Sequence, residues 1–505
     1  MRASVTEDRS ISILQWALDS GRRHQFALDD GHQRISYEAL ESSVGEEGEW
    51  LAASGGERFA VLADNGVGWA ITDLALHTRR LVSIPLPAYF SDAQLQHALD
   101  DAGVDSLLLE DLPRLRHVLT DWRVAATSGR SGLTLLRRRI DRSCRPALPP
   151  GTTKITYTSG STGTPKGVCL AAAQLEAVAA SLVSATGSLG IGRHLCLLPL
   201  PTLLENIAGL YAPLLCGATC LLPSTSVTGM SYAGVDPARM LSAVSSLQPE
   251  SLVLVPELLQ LFVSAAERGW AVPGTLKFVA VGGASVSPEL LQRAEAVGLP
   301  AYEGYGLSEC ASVVCLNLPG ARRVGSVGRP LPHARVRVTA DGELRVSGLA
   351  MLGYLGGPRV SGGEELATGD LGEIDSDGYV HVRGRRRNVF VSSYGRNVEP
   401  EWIERELTRH PAIRRAFVFG ESRPHPVALI EAANPADSSM AIERGIGLAN
   451  AGLPDYARVR RWARIPGGVS FDNGLLTANG RPRRSVILER HAALIDAMYR
   501  DEVAS

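Results

Sequence analysis

The chain has 505 residues, of which 45% are hydrophobic and 21% charged, and its formal net charge is −2. This length predicts two or more domains, and the composition is that of a folded globular protein and excludes a disordered one. The small net charge excludes a global electrostatic field that would draw the chain to nucleic acid or to an anionic membrane.

Targeting and membrane segments are not expected. The first 25 residues are interrupted by charges and contain no apolar run, which is unlike a signal peptide. The longest apolar stretch, residues 195–223, contains Glu205 and several prolines, so it predicts a buried strand–turn–helix passage and not a membrane span. The seven cysteines form no Cys-x-x-Cys pair and are expected to be buried free thiols of a cytoplasmic protein, with no metal site among them.

Apolar runs alternate with segments of helical spacing through most of the first 380 residues. Strands are predicted at 59–63, 81–86 and 104–109, and helices at 69–77 and 92–102. Repetition of strand, helix and strand indicates an α/β fold, in which parallel-type sheets are covered by helices.

A domain boundary is predicted at the short basic joint Gly384–Asn388, where the composition changes. Beyond the joint, residues 399–407 predict an amphipathic helix and residues 416–419 a strand. We therefore expect a large N-terminal domain of residues 1–384 and a small α+β C-terminal domain of residues 385–505.

One loop has the composition of a polyphosphate site. After a β-type run it reads Thr158, Ser159, Gly160, Ser161, Thr162, Gly163, Thr164, Pro165, Lys166 and Gly167. The glycines let the backbone approach an anion, the hydroxyls donate hydrogen bonds, and the lysine adds a positive charge. Pro165 directly before the lysine excludes a Walker loop. A flexible surface loop is the alternative, and the ordered string makes it the weaker one.

This string resembles the phosphate-binding signature of the superfamily of acyl-CoA synthetases, peptide-synthetase adenylation domains and luciferases. Four more segments resemble that superfamily in the same order: Val281–Ala284, Tyr302–Glu309, Thr368–Leu371 and the hinge segment Gly384–Pro400. The resemblance covers more than 300 residues of the chain. It implies an ATP- and Mg²⁺-dependent enzyme that forms an acyl-adenylate and passes the acyl group to a thiol.

The resemblance also implies roles for individual residues. Tyr305 is expected to stack on adenine, Asp370 to accept hydrogen bonds from the ribose, Arg385 to lie near the same sugar, and Glu309 to bind magnesium. Gly283, Ala284, Glu303, Gly306 and Ser308 are expected to border the nucleotide.

The C-terminal domain is expected to be mobile and to turn about Arg387. A hinge moves by changes in backbone dihedral angles, so the side chain at this position can vary. Gly395 matches a glycine that lines the thiol tunnel, although a plain turn glycine would look the same. The thiol belongs to coenzyme A or to a holo carrier protein, and no carrier module is expected after residue 484.

Arg481 is the clearest departure, because the superfamily has a catalytic lysine at this position. Only three of the 51 basic residues are lysines, namely Lys154, Lys166 and Lys277, so a bias toward arginine is one explanation of the exchange. Lys166 escaped this bias, which indicates that a position with a strict requirement for lysine would have escaped it too. Arginine keeps the positive charge but is larger and planar. We expect adenylation to be retained; a nucleotide-binding pseudoenzyme is the alternative.

The segment Leu198–Asn206 resembles a Leu-Pro-Leu…Glu stretch of fatty-acyl ligases, with Thr202 in place of their usual histidine. It predicts an apolar pocket for an aliphatic or aromatic acid. A carrier-protein loading enzyme for an aryl or unusual acid is the other possibility.

Overall fold

The computed structural model describes residues 13, 18, 21–88, 90, 92–111, 115–141, 143, 145–158, 166–231, 234–360, 364–391, 393, 397–477 and 480–500. Ser159 to Pro165 of the predicted phosphate loop, and Gly395, lie outside these residues. Within the described parts, no helix combines the length and the apolar character needed to cross a membrane.

The strands before residue 320 are β1 (Phe26–Asp29), β2 (Arg34–Ser36), β3 (Arg58–Leu62), β4 (Val82–Pro85), β5 (Ser106–Leu109), β6 (Arg123–Thr127), β7 (Thr134–Arg137), β8 (Lys154–Thr158), β9 (Lys166–Leu170), β10 (Arg193–Leu195), β11 (Thr219–Leu221), β12 (Met230–Ser231), β13 (Gly234–Val235), β14 (Ser251–Leu254), β15 (Phe278–Val281), β16 (Ala301–Leu307) and β17 (Ser312–Leu316). The later strands are β18 (Arg329–Pro330), β19 (Ala334–Val338), β20 (Glu343–Gly348), β21 (Gly353–Tyr354), β22 (Leu366–Ile374), β23 (Val380–Arg385), β24 (Phe390–Val391), β25 (Asn397–Val398), β26 (Ile413–Phe419), β27 (Val427–Ala432) and β28 (Arg461–Arg464).

The α-helices are α1 (Tyr37–Ala53), α2 (Val67–Thr78), α3 (Asp92–Asp101), α4 (Ala172–Thr186), α5 (Leu203–Glu205), α6 (Ala212–Leu215), α7 (Thr225–Thr228), α8 (Pro237–Leu247), α9 (Pro256–Glu267), α10 (Pro288–Ala296), α11 (Pro400–Leu407), α12 (Ser439–Gly452), α13 (Arg484–Arg490) and α14 (Ala492–Arg500). A π-helix, Asn206–Tyr211, joins α5 to α6, and 3₁₀ turns include Ser308–Cys310 and Arg386–Asn388.

Two large mixed sheets form the N-terminal body. One has the order β21-β9-β8-β4-β3-β5-β7-β6, and the other β18-β17-β16-β15-β14-β10-β11-β1-β2. Their central strands are parallel, as in the pairs β3/β4 and β14/β15, while strands at the margins, such as β9 and β17, are antiparallel to their neighbours. The prediction of parallel sheets is confirmed for the centres, and the antiparallel margins were not predicted.

The two sheets share a hydrophobic core. One cluster of buried side chains includes Phe59 and Leu108 from the first sheet, Leu28 and Cys220 from the second, and Leu74 from α2. The strand–helix–strand pattern places apolar side chains on both faces of the central strands, and the helices between the strands cover them. The predicted helix at 69–77 and strand at 81–86 are confirmed as α2 and β4.

The alternation of strands and helices ends earlier than the sequence predicts. Residues 334–385 form a separate four-stranded antiparallel sheet in the order β19-β20-β22-β23. Along β19 exposed residues, Arg335 and Arg337, alternate with less exposed ones, which is the period of two that a half-buried strand requires. This sheet supplies one wall of the site described below.

The C-terminal domain, called the lid below, has its own sheet in the order β26-β27-β28. The predicted amphipathic helix at 399–407 is confirmed as α11, which starts at Pro400 and buries Ile403 and Leu407. Proline is favoured in the first turn of a helix because its missing N–H would have no partner there. The six cysteines that are described are free thiols, and all are buried except Cys216, which is half-buried.

Candidate functional site

The two ends of the predicted phosphate loop meet in a hairpin. Thr158, at the end of β8, pairs with Lys166, at the start of β9, in an antiparallel pair of strands. Lys166 is exposed, and its Nζ lies 5.6 Å from the centre of the Tyr354 ring. This distance is in the range of a cation–π contact between the ammonium group and the aromatic ring. The interior of the loop lies outside the described residues.

Tyr305, Asp370 and Arg385 are brought into direct contact. The Tyr305 hydroxyl donates a hydrogen bond of 2.6 Å to Asp370 Oδ2, and Arg385 Nε lies 2.7 Å from Asp370 Oδ1. Asp370 and Arg385 face each other across β22 and β23, which explains their pairing. Burial, together with the neighbouring carboxylate, raises the pKa of Tyr305 well above its usual value, so this hydroxyl stays protonated.

Glu309 lies in the 3₁₀ turn that follows β16. Its Oε1 accepts a hydrogen bond of 2.9 Å from the hydroxyl of Tyr354, the residue whose ring faces Lys166. Tyr354 therefore connects the predicted magnesium ligand to the predicted phosphate-binding lysine. Sequence reasoning missed it. The only available signal was an aromatic residue directly after Gly353, which is too common a pattern to single it out.

The segment after β15 forms a turn at the centre of the site. Gly283 has a φ of +91°, a conformation that favours glycine, and its carbonyl oxygen accepts a 2.6 Å hydrogen bond from Arg481 Nε of the lid. Glu303, on β16, accepts a hydrogen bond of 3.1 Å from the backbone N–H of Val286. The described contact of Glu303 is thus to this turn, which it holds in place.

Burial raises the pKa of the Glu303 carboxyl to about 8, and we expect a pH dependence from it. Because the folded chain holds this proton more tightly than the unfolded chain, the free energy of unfolding should fall as pH rises from the ordinary value of 4.5 through about 8. Glu303→Gln should remove this slope and leave the variant more stable than the wild type at pH 9. Thermal melts of both proteins from pH 6 to 9 measure this difference in stability. If the melting temperatures of the two proteins changed with pH in the same way, the prediction would be contradicted.

Gly306 and Ser308 occupy different places around the site. A Cβ atom at Gly306 would lie 1.7 Å from the Ser312 carbonyl oxygen, so β16 and β17 approach too closely here for a side chain. Ser308 borders the large cleft described below. Arg387 lies in the 3₁₀ turn Arg386–Asn388, where only its backbone is described, and the predicted tunnel residue Gly395 is not among the described residues.

Two cavities meet at Arg481. One, of about 1940 Å³, runs between the body and the lid, and the other, of about 770 Å³, is bordered by Asp370, Arg385 and Glu303. Residues that border both cavities are Gly283, Ser285, Gly304, Tyr305, Gly306, Thr477 and Arg481. Burial and the nearby Arg385 lower the pKa of Arg481. The guanidinium thus lies where a ligand in one cavity would touch a ligand in the other.

Ion pairs hold the lid in the orientation that places Arg481 there. Arg415 Nη2 lies 2.6 Å from Glu257 Oε1 of α9, and Arg409 pairs with Glu289 of α10. Both arginines come from the lid and both carboxylates from the body. None of these pairs was predicted, because nothing local in the sequence relates residues more than 100 positions apart.

The walls of the larger cleft beside Gly282 are mainly apolar. Lining residues from the body include Leu198, Thr202, Leu203, Leu204, Ala208, Val255, Val281, Leu307, Val313 and Leu316. Thr202, which replaces the expected histidine, is therefore a wall residue of this cleft.

A mixed α/β body with a lid, and a tyrosine, two carboxylates and a lid arginine gathered around two joined cavities, define an adenylate-forming enzyme. The chain belongs to the AMP-binding enzyme family: the model of that family matches residues 15–355, and that of the AMP-binding enzyme C-terminal domain matches residues 387–503. It is an AMP-forming ligase, and ATP and Mg²⁺ are the cofactors of this class.

Curated relatives cover most of the chain. A long-chain-fatty-acid–CoA ligase, FadD15 of Mycobacterium bovis, is 26% identical over 90% of this chain and 89% of its own length. A feruloyl-CoA synthase of Amycolatopsis is 29% identical over 82% of this chain and 87% of its own length.

Solved structures show the same fold. The anthranilate CoA ligase AuaEII in complex with anthranoyl-AMP has a TM-score of 0.79 at 20% identity, covering 96% of this chain and 97% of that one. The o-succinylbenzoate CoA synthetase MenE of Bacillus subtilis, in complex with its acyl-adenylate intermediate, has a TM-score of 0.72 at 22% identity. The match covers 94% of this chain and 96% of that one.

Proposed function

We propose that this chain activates an apolar carboxylic acid as its acyl-adenylate and transfers the acyl group to coenzyme A. The observation that carries the proposal is the position of Arg481 at the junction of the two cavities. The acid occupies the larger, mainly apolar cleft, and the adenosine part of ATP occupies the smaller cavity. The two reacting groups then meet beside a fixed positive charge.

The side chains that border the smaller cavity are chemically suited to bind adenosine. Tyr305 offers an aromatic ring to adenine, and Asp370 offers carboxylate oxygens to the ribose hydroxyls. The 2.6 Å hydrogen bond between these two residues keeps both in place before the nucleotide binds. The ion pair with Arg385 fixes the Asp370 carboxylate beside the place of the sugar.

The phosphates lie between Lys166, the loop Thr158–Gly167 and Glu309. Glu309 has a carboxylate oxygen already positioned by Tyr354, and oxygen ligands are those that Mg²⁺ prefers, so this residue would hold the ion. When bound with ATP, magnesium neutralises negative charge on the phosphate oxygens. Tyr354 contacts both residues, the Glu309 carboxylate through its hydroxyl and the Lys166 ammonium through its ring.

The reaction has two steps that balance without any further reactant. A carboxylate oxygen of the acid attacks the α-phosphorus of ATP, and pyrophosphate leaves. The thiolate of the acceptor then attacks the acyl carbonyl carbon, and AMP leaves with the bonding electron pair. Arg481 stabilises the negative charge that develops during the first step, because charge is best stabilised by a donor already in place.

Three further assignments are part of the proposal. The lid turns at Arg387 between the two steps, Gly395 lines the path of the thiol, and the domain boundary falls between residues 384 and 385. The contacts between lid and body include the Arg409–Glu289 and Arg415–Glu257 ion pairs and the Arg481 hydrogen bond, and such polar contacts permit rotation more readily than a large apolar interface.

The acid is aliphatic or aromatic and lacks a charged group near its carboxylate. The cleft wall from Leu198 to Ala208 supports this, since nearly all its lining side chains are apolar. The relatives' names cover both kinds of acid, a long-chain fatty acid and a ferulic acid. The cleft of about 1940 Å³ exceeds the roughly 300–1000 Å³ of an ordinary small-molecule pocket, which leaves room for acid and thiol arm together.

ATP–pyrophosphate exchange across fatty, aryl and amino acids tests the first step. We expect exchange with apolar acids and none with amino acids; no exchange with any acid would favour a nucleotide-binding pseudoenzyme. Thioester formation with coenzyme A and with a holo carrier protein, at equal thiol concentration, tests the second step. Faster transfer to the carrier protein would contradict coenzyme A as the acceptor and identify a loading enzyme.

A further inference from the structure

A second cluster of reactive side chains lies inside the N-terminal body, away from the nucleotide. His194, Cys196 and Glu205 are 3%, 0% and 0% exposed. One ligand atom from each, an imidazole nitrogen, a sulfur and a carboxylate oxygen, lies within 4.8 Å of the others. The proposed reaction uses none of these residues, so the cluster needs another explanation.

Local structure explains how the three side chains meet. His194 is on β10 and Cys196 follows two positions later, so both point to the same face of the sheet. Glu205 ends α5, directly before the π-helix Asn206–Tyr211. π-helices are rare and are frequently found at functional sites, so this irregular turn agrees with a functional role for the cluster.

Three buried polar atoms of the cluster have no hydrogen bond of ordinary geometry among the described residues. These atoms are His194 Nε2 and both carboxylate oxygens of Glu205. The groups that face the Glu205 carboxylate are His194, whose Nε2 lies 3.7 Å from Oε1, the Cys196 side chain and the Leu198 backbone. The other ring nitrogen, His194 Nδ1, is 2.7 Å from Ser251 Oγ. A metal-binding histidine is typically held in this way, with one nitrogen fixed by a neighbour and the other facing the metal. Unpartnered polar atoms at full burial are unfavourable, and a shared cation would satisfy both.

Gly209 leaves the space that such an ion needs. A Cβ atom at this position would lie 2.5 Å from Glu205 Oε1 and 3.0 Å from His194 Nε2. Any side chain at residue 209 would therefore fill the gap between the two groups. The glycine lies in the π-helix with an ordinary backbone conformation, so the position calls for glycine because of space and not because of its φ angle.

We propose that His194, Cys196 and Glu205 bind one transition-metal ion, with Zn²⁺ as the expected occupant. Imidazole, thiolate and carboxylate are the ligands that zinc takes in proteins, and one thiolate with one carboxylate balances its charge. The Cys196 thiol now donates to the Gly209 carbonyl at 3.2 Å, and metal binding releases that proton to solvent. His194 also borders the large cleft, so a water molecule supplies the fourth ligand.

The ion would have a structural role in the wall of the acid cleft. It would join β10 to the π-helix, whose residue Ala208 lines that cleft. This proposal differs from the sequence-based expectation that no cysteine belongs to a metal site. The spacing of the cysteines does not indicate that the fold brings a histidine and a glutamate beside Cys196.

Cobalt binding to the full-length protein tests the proposal. The chelator-treated wild type is titrated with Co²⁺, which reports a thiolate ligand by a charge-transfer band in the near ultraviolet. We expect the band to saturate at one equivalent and to disappear when Zn²⁺ is added. A wild type that shows no thiolate band, and retains no zinc by elemental analysis after purification, would overturn the proposal and leave a hydrogen-bonded or hydrated cluster.

Variants then assign the ligands. Cys196→Ser and Glu205→Gln should each weaken metal binding by at least about 10-fold, whereas Cys169→Ser, a matched change at another buried thiol, should leave it unchanged. Ser251→Ala keeps all three ligands and should still weaken binding by about 10- to 100-fold. Circular dichroism shows whether each variant folds. The Ser251→Ala variant still tests the proposal if Glu205→Gln does not fold. A thiolate band that persists in Cys196→Ser would refute the assignment.

Discussion

Replacing Arg481 with alanine is expected to slow acyl-adenylate formation by about 100- to 1000-fold, the usual effect of removing one preorganised donor from a transition state. Arg481 is the lid residue that reaches the junction of the two cavities, where its Nε donates to the Gly283 carbonyl at 2.6 Å. Its charge acts in a partly buried site, where electrostatic stabilisation is stronger than in water. The thiol-transfer step should change little, because in the proposed mechanism Arg481 acts in the first step only.

The two half-reactions separate this role from a general structural one. Pyrophosphate exchange measures the first step, and thioester formation from a chemically prepared acyl-adenylate measures the second. Arg490→Ala is the matched control, because Arg490 bonds to the Asn473 carbonyl within the lid and does not border the junction. Equal losses in both steps would argue against a role in adenylation.

Arg481→Lys restores the residue typical of the superfamily and should give equal or faster exchange. Lysine is smaller and carries its charge at a point, so it can approach an oxygen of the acid or the phosphate without the planar fork of arginine. Complete loss of exchange in this variant would show that the surrounding site is adapted specifically to arginine.

Asp73→Asn is expected to have the largest effect on stability, because Asp73 belongs to a fully buried charge network. Lys154 Nζ donates to Asp73 Oδ1 at 2.8 Å and to Asn206 Oδ1 at 2.6 Å. Asp73 Oδ2 accepts from Asn206 Nδ2 at 2.9 Å and from the Tyr211 hydroxyl at 2.7 Å. Lys154 is 2% exposed and Asp73 0%, so no water replaces a lost partner.

Removing one charge of a buried pair leaves the other uncompensated, which destabilises proteins by about 3–5 kcal/mol. Urea unfolding of the full chain, followed by tryptophan fluorescence, measures the change. The double variant Asp73→Asn/Lys154→Met removes both charges and should recover part of the loss. Glu46→Gln, which breaks the exposed pair with Arg130, is the surface control and should change the unfolding midpoint little. A midpoint for Asp73→Asn close to that of the control would contradict the prediction.

The same network gives a reason for the lysine at position 154. Lysine is rare in this chain, yet it occurs at position 154. In the structure its ammonium is surrounded by three acceptors, Asp73, Asn206 and Tyr211, in the closed interior. A planar guanidinium is larger than an ammonium group and has five N–H donors, which would need more acceptors than this interior offers, so arginine does not fit there. The network also ties β8, which leads into the phosphate loop, to the π-helix beside the acid cleft.

Local periodicity predicted the individual elements of the body well but not how they pair. The helix expected at 69–77 is Val67–Thr78, and the strand expected at 81–86 is Val82–Pro85. These elements follow from the spacing of apolar residues a few positions apart. The antiparallel margins of both sheets, and the separate sheet at 334–385, depend on pairing between distant segments, which that spacing does not report.

The nucleotide site shows the same division. Motifs pointed to Tyr305 and Asp370, and the fold brings their side chains into contact although they lie 65 residues apart. Tyr354 was missed because its importance lies in its two neighbours, Glu309 and Lys166, and neither is close to it in the chain. The buried cluster at His194 was missed for the same reason.

By itself, the sequence determined the class of enzyme, the α/β elements and the residues that supply charge and hydrogen bonds, because these depend on residue type and on spacing within short segments. Only the tertiary structure decided that Arg481 lies where the two cavities meet, that Tyr354 joins Glu309 to Lys166, and that Cys196 lies beside a histidine and a glutamate. The physical reason is that such contacts form between segments that are far apart in the chain, and burial of the shared core, not local preference, sets which segments meet.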